Sequence, residues 1–491
     1  MKEPRNIPTP RIVRKKRPPD KLSYPKIRTI IFIVIAGILI GYQIYDPSKR
    51  VIEAIAGLVL IFMLWRFSEL KALWFLLIIY PFPFSISLGN SNFIFVVLFF
   101  IVYLVRVSTG RSKFRSDKFF NLPIILLVLA YIISFYNVTP TPQAMRFALI
   151  NTGNFFATIL FFYLIINFID NEKNLKNTVI IFMISISLVI MFTLFELLFP
   201  GRTIIPAWLY TRHEAQLVMK GLRMMGPFHD YELVAEFFSI NALIIFFMFI
   251  RSRRLLTRSI YAILLILDLL MMFATITRGA IITLIIGLLY LAFLTRRDIN
   301  FVRLVSIAAA FVFLIFVLEM FVTHYTMSGS LFDRLIGTTI KRGFIPDTRA
   351  IAWGQALETA MEHPIIGHGP GYYSFILRIR QWLLPHSVYL FYLNITGIAG
   401  LSVFIFLVYR FIKASSLGIK SSLLYSPFPE AFMKVLHVCL VMFLLDQIKI
   451  EYLRNDIYVY FIWFFFGLIA ATRNIILKRE REQLASAPSL S

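Results

Sequence analysis

The sequence predicts an all-α, polytopic integral membrane protein with about 12–14 transmembrane helices and a large, partly helical outer loop late in the chain. Three observations predict it. Of 491 residues, 59% are hydrophobic and 15% charged, with a mean hydropathy of +0.77, whereas soluble domains carry about 45–50% apolar and about 25% charged residues. The apolar residues come in continuous runs of about 20, long enough to cross hydrocarbon as helices, which alone satisfy their own backbone there. The runs do not alternate, which excludes a β-barrel, and no long polar stretch could fold as a separate soluble domain.

A basic tail, residues 1–26, comes first, with RIVRKKRPPDK at Arg11 to Lys21. Positive residues accumulate on the cytoplasmic side of membrane spans, so this tail reads as an anchor rather than a nucleic-acid patch. No cleavage site of small residues follows the first apolar run, which is expected to stay attached. Spans then follow near 27–45, 50–66, 70–88, 91–107, 119–137, 147–169, 177–199, 231–250, 259–275, 279–295 and 304–322, making up residues 27–322. The second is short enough to be re-entrant or tilted. A loop at 323–386 precedes three last spans near 387–409, 431–447 and 456–472, and residues 473–491 form a second tail. The single cysteine, Cys439, lies in an apolar run and rules out an internal disulfide.

With the N-terminus inside, about 34 of the 50 Lys and Arg residues fall on the cytoplasmic side, as the positive-inside rule requires. Both termini are then cytoplasmic. Ten of the remaining basic residues lie in the two longest outer segments, about 200–230 and 323–386; loops of that length are commonly functional.

Chemistry concentrates on the same side. Six of the seven histidines (His213, His229, His324, His363, His368 and His386) map to outer loops or their membrane edges. His386 stands in PHSVYL, where a span begins; the partial positive charge of a helix N-terminus favours the neutral imidazole that a general base needs. A capping role at the membrane interface is the plainer alternative. His363 and His368 are five residues apart across a proline and a glycine, with no Cys or HExxH beside them, so HPIIGHGPGYY reads as a tight turn and no metal is expected. Arg223 in GLRMMGPFHDYE, Arg278 in TITRGA and Arg349 in DTRAIAW all sit at the outer interface. Each could simply snorkel to water; around one cavity, three guanidinium forks would suit a pyrophosphate. Acids in or near spans (Glu53, Glu196, Glu232, Glu236, Asp268, Glu319 and Asp446) leave open a transporter or flippase for lipid-linked sugars.

The stretch from DTRAIAWGQALETAMEHPIIGHGPGYYSF to PHSVYLFYLNITGIAGL resembles the signature region of the O-antigen ligase and polymerase superfamily: an Arg before a Trp-containing helix, a His-Pro-x-x-Gly-x-Gly turn, a histidine at the next span, then Gly-x-x-Gly-Leu. Upstream, RMMGPFHDYELVAEFF and TRGA are similar to two further elements of that family. The chain departs from the pattern at Ser387, where the family often has Asn, and at His229-Asp230, where it often has Pro-Asn. The resemblance, over roughly residues 220–410, implies a metal-independent, cofactor-free, inverting membrane glycosyltransferase of the bacterial inner membrane. Its donor would be an undecaprenyl-pyrophosphate-linked glycan; its acceptor, a hydroxyl of the lipid A core or of another carrier-linked glycan. By match to the family motif, His386 would be the general base, and Arg223, Arg278 and Arg349 the pyrophosphate contacts.

Overall fold

The computed structural model describes residues 49–83, 85–86, 89–199, 223–296, 317, 320, 347–379 and 383–486, and every statement below concerns these. The expected span near 27–45 lies outside them, as do most of the one near 304–322 and the outer segments 200–222 and 323–346. Two compact units divide the chain. The first, Met1–Arg66, contributes one described helix, α1 (Lys49–Arg66). The second, Phe67–Ser491, holds the remainder.

In the second unit α2 (Glu69–Ile79) is followed by a pair of two-residue antiparallel strands, β1 (Ser85–Ile86) and β2 (Gly89–Asn90). The stretch near 70–88, expected to be one span, is therefore a half-length helix. Its eleven residues rise about 16 Å, roughly half the hydrocarbon thickness. Pro81 and Pro83 bring no amide donors and close off the helix.

The helices after β2 match the expected spans. They are α3 (Ser91–Ser108), α4 (Lys118–Ser134), α5 (Pro142–Phe168), α6 (Glu172–Leu198), α7 (Tyr231–Arg251), α8 (Leu255–Ala274) and α9 (Arg278–Thr295). The late loop contributes α10 (Asp347–Glu362) and α11 (Tyr372–Ile379), so it is partly helical, as expected. Three long helices close the chain: α12 (Val388–Ser415), α13 (Phe428–Asp446) and α14 (Asp456–Ser486). The last runs on past the expected span into the basic tail. Ten described helices are long and apolar enough to cross a membrane. The protein is an all-α, multi-pass membrane protein.

Local sequence sets the helix starts. Side chains of Asp117, Thr141 and Asn171 accept from the first free amides of α4, α5 and α6, and Pro142 supplies a first residue whose missing N–H costs nothing there. Helices α7, α13 and α14 form the centre: Phe237 and Phe238, Phe432 and Leu436, and Tyr458, Tyr460 and Trp463 are all enclosed. A helix apolar on every side needs such a place. At the periphery Ile125 and Ile133 of α4, Ile263 of α8 and Leu289 of α9 stay exposed, an apolar surface suited to lipid.

One span is broken. Within α12, Gly397 has φ 65° and ψ −169°, which interrupts the ladder of backbone bonds. The loop 363–371 repairs it: the amides of His368 and Gly369 donate to the carbonyls of Asn394 and Ile395 (2.8 and 3.0 Å), and the amides of Ile398 and Ala399 donate to Pro364 and Ile365 (2.8 and 3.2 Å). Open backbone groups at membrane depth must find such partners. The contact admits no side chain, since a Cβ on Gly367 would lie 2.4 Å from the Ile395 carbonyl carbon and one on Gly397 2.2 Å from the Ile365 oxygen. HPIIGHGPGYY is thus a clasp on α12 as well as a turn.

Candidate active site

The site grows from the start of α7. Gly226–Phe228 form a 3₁₀ turn, His229 takes a left-handed backbone (φ 52°), and Asp230 caps the helix, its Oδ1 accepting from the amides of Glu232 (2.9 Å) and Leu233 (3.1 Å). This geometry sets Asp230 and Glu232 side by side at the helix end. The segment between α13 and α14 faces them. Asn455 caps α14 through Oδ1, accepting from Ile457 and Tyr458 (3.0 and 2.9 Å), while its amide group donates to the Phe228 carbonyl. Arg454, beside it, donates from Nη2 to Asp230 Oδ1 (2.8 Å) and to Glu232 Oε2 (2.9 Å).

Two further elements complete the cluster. Arg349, in the first turn of α10, donates to Glu232 Oε1, so each oxygen of that carboxylate faces a different arginine. His386 lies just outside α12, two residues before Val388, with Ser387 in the capping position. Its backbone is left-handed (φ 46°), and the Val388 amide donates to the carbonyl of Gln447 (3.0 Å), which ties the start of α12 to the same segment as Arg454. Arg454 Nη1 then donates to His386 Nδ1 (2.8 Å), and Glu232 Oε2 is 3.7 Å from that nitrogen.

Because a guanidinium can only donate, Nδ1 of His386 is the acceptor and its neutral ring carries the proton on Nε2. Burial holds the imidazole below its ordinary range; the carboxylate of Glu232 opposes this, and the charges of Arg454 and Arg349 reinforce it. His386 is the most open member, its side chain 33% exposed against 12% for Glu232 and 9% for Arg454, so it is the group a substrate would meet.

Arg223 reaches the turn between α8 and α9, the turn that Arg278 follows. Arg223 donates from Nε and Nη2 to the carbonyls of Thr275 and Ile276 (both 3.0 Å) and from Nη2 to Thr277 Oγ1 (3.3 Å). Ile276 has φ 52°, an unusual conformation for a β-branched residue, and Arg278 opens α9 two residues later. The two pairs of predicted residues are joined through α7. The Arg223 guanidinium lies 3.5 Å from the centre of the Tyr231 ring, and Thr277 Oγ1 donates to the Tyr231 carbonyl (3.1 Å). Arg223, Arg349 and His386 therefore border residues 230–232, and Arg278 follows Thr277, which does too. So do the three non-glycine residues with positive φ among those described, His229, Ile276 and His386; backbone strain of this kind gathers at functional sites.

Residues at the starts of α7, α9, α10, α12 and α14 all make contacts in or beside this cluster. The partial positive charges of these helix starts add to the arginines, and the combined field suits an anion. Beneath lies a second polar layer: Gln447 donates to both oxygens of Glu236 (3.1 Å each), and Asp446 receives Lys449 (2.8 Å) and Thr283 (2.9 Å).

The family model described as O-antigen ligase matches residues 263–405, a span that contains Arg278, Arg349 and His386. Over these residues the chain is similar to the O-antigen ligase family. No curated protein matches the chain. From outside the matched region, Arg223, Asp230 and Glu232 on one side and Arg454 on the other join the same cluster.

Arg454 is the residue that sequence reasoning missed. Its signal was faint: with Lys449, it is one of two basic residues in a short segment, 448–455, between two long apolar runs. The histidine pair is not grouped with a third metal ligand among the described residues. His368 instead makes a hydrogen bond from Nε2 to the Thr359 carbonyl (2.9 Å) and stacks on Tyr372 (4.3 Å between ring centres).

Proposed function

We propose that this protein transfers or polymerises a glycan carried on undecaprenyl pyrophosphate onto an acceptor hydroxyl, at the extracytoplasmic face of a bacterial inner membrane, with both termini cytoplasmic. The observation that carries the reading is the meeting of His386 with Arg349 and Arg454 on one carboxylate, Glu232, in contact with residues at the starts of five helices. A prenyl carrier keeps its tail in lipid and its pyrophosphate at the interface, the depth at which these helices begin.

In this scheme the acceptor oxygen attacks the anomeric carbon and its proton passes to His386. The bond from the anomeric carbon to the phosphate oxygen breaks, and its electron pair leaves with the pyrophosphate. Attack opposite the leaving group inverts the centre. Pyrophosphate is already a good leaving group, so what needs stabilising is its growing negative charge, and Arg223, Arg278 and Arg349 with the helix ends stabilise it; no metal ion enters the scheme. One preorganised donor of this kind contributes about 2.7–4 kcal/mol to the barrier. The acceptor is a hydroxyl of a lipid A core sugar or of a second carrier-linked glycan.

The test is transfer by the purified protein in lipid nanodiscs, with an undecaprenyl-pyrophosphate-linked glycan, a core or glycan acceptor, and EDTA. A transferred or lengthened glycan supports the proposal. Movement of unchanged glycan across vesicles, with no new product, would replace it with a transporter.

A further inference from the structure

His386 faces Arg454 with the wrong nitrogen for its proposed task. With Nδ1 accepting from Arg454, the proton sits on Nε2, and a protonated Nε2 donates and cannot take a proton from a sugar hydroxyl. The neighbouring side chains supply a way out. Glu232 Oε2 is 3.7 Å from Nδ1, about 1 Å beyond a charge-assisted hydrogen bond. Both of its oxygens are occupied by arginines, and a guanidinium fork fits a phosphate as well as it fits a carboxylate.

We propose that Glu232 is the positioning carboxylate of His386 and that the donor's pyrophosphate switches it on. The phosphates draw Arg349 and Arg454 away from Glu232. Nδ1 loses its donor, Glu232 loses its partners, and the ring settles as the Nδ1–H tautomer bonded to Glu232, with a basic Nε2 facing the acceptor. The exchange is neutral overall: one proton leaves Nε2 for solvent and one from solvent arrives on Nδ1. During transfer the hydroxyl proton goes to Nε2, and the imidazolium formed is balanced by Glu232 until that proton returns to solvent.

Other groups at the site fit the task less well. Asp230 is committed to the α7 cap and to Arg454, and Glu451 is fully enclosed. His386 is a third exposed and sits on a left-handed backbone just before α12 begins, where its ring lies outside the helix.

This inference rests on the pyrophosphate reading, and the experiment separates the two. The full chain, labelled with ¹⁵N-histidine in nanodiscs, is titrated with farnesyl pyrophosphate as the probe; binding is followed by ³¹P NMR, and the His386 signals are assigned by their loss in His386→Asn. Before the probe, Nδ1 should resonate as the unprotonated nitrogen; at saturation the two nitrogens should exchange character. Saturation with the Nε2–H form unchanged overturns the switch and leaves pyrophosphate binding standing. Absence of ³¹P-detected binding overturns both. In transfer assays Glu232→Gln should lower kcat by about 100- to 10,000-fold, as loss of a tautomer-setting carboxylate does elsewhere, yet lower KM for the donor, because its arginines are no longer held. A merely structural role would not tighten the donor, so an unchanged or raised KM also counts against the proposal.

Discussion

Arg454 donates from Nη1 to Nδ1 of His386 across 2.8 Å, although the two residues are 68 positions apart in the chain. The contact fixes the ring's tautomer and orientation, and it ties the start of α12 to the segment that leads into α14. What the site does follows largely from who holds that imidazole.

Replacing His386 should therefore separate chemistry from folding. His386→Ala is expected to lose about 100- to 10,000-fold in transfer rate, the usual share of a general base. Membrane insertion and the thermal midpoint should remain near those of the parent protein. Transfer at parental rate in proteoliposomes would remove His386 from the mechanism.

Arg454 is expected to matter for stability as well. Its side chain is 9% exposed and serves both Asp230 and Glu232. Arg454→Ala leaves two carboxylates facing each other without their shared cation, and breaking such a pair typically costs about 3–5 kcal/mol. The double variant Arg454→Ala with Glu232→Gln should recover part of the loss. Denaturation curves of the two variants in the same detergent provide the comparison.

The pH profile has a defined sign. Burial is the largest influence on His386 and lowers its pKa from the ordinary 6.5, so the neutral ring persists into mildly acidic solution. The kcat/KM for the donor, which reports the donor-free protein, should then fall on the acid side with a midpoint below 6.5. A midpoint above that value would mean that the carboxylates outweigh burial and the arginines.

Glu451 offers a test of the opposite sign. Burial, opposed by Arg454 and aided by Glu232 and Asp230, pushes its carboxyl up to about 8, and among the described residues neither of its oxygens has a hydrogen-bond partner. The folded protein therefore binds a proton here that the unfolded chain has released above about 4.5. Stability from this group is full below that value and drains away as pH rises through about 8. Glu451→Gln should raise the thermal midpoint more at pH 9 than at pH 5.5, which melting scans at the two values would show.

The spans were legible because a run of twenty apolar residues has few other places to go. Proline chemistry shortened one of them: Pro81 and Pro83 end α2 at Ile79, and a hydropathy reading passes straight over that break. Of the candidate site, His386 and Arg349 were legible, and the structure brings them together around Glu232. Their partners were not. Glu232 is 117 positions from Arg349 and 222 from Arg454, and nothing local in EYLRND marks Arg454 as the hub. Pairings of that range come from helix packing, which one sequence does not display.

Gly397 has a mechanical consequence. The break it makes leaves only nine residues of α12, Val388–Thr396, between the clasp and the imidazole, a rod about 13 Å long. His386 is mounted on this short lever rather than on a full span, and the lever's fulcrum is stapled to the loop 363–371. A large sugar chain that presses on that loop would tilt the base through the staple while the lower part of the span stays put, so bulk outside the membrane could be felt at the reacting atoms without moving the bundle.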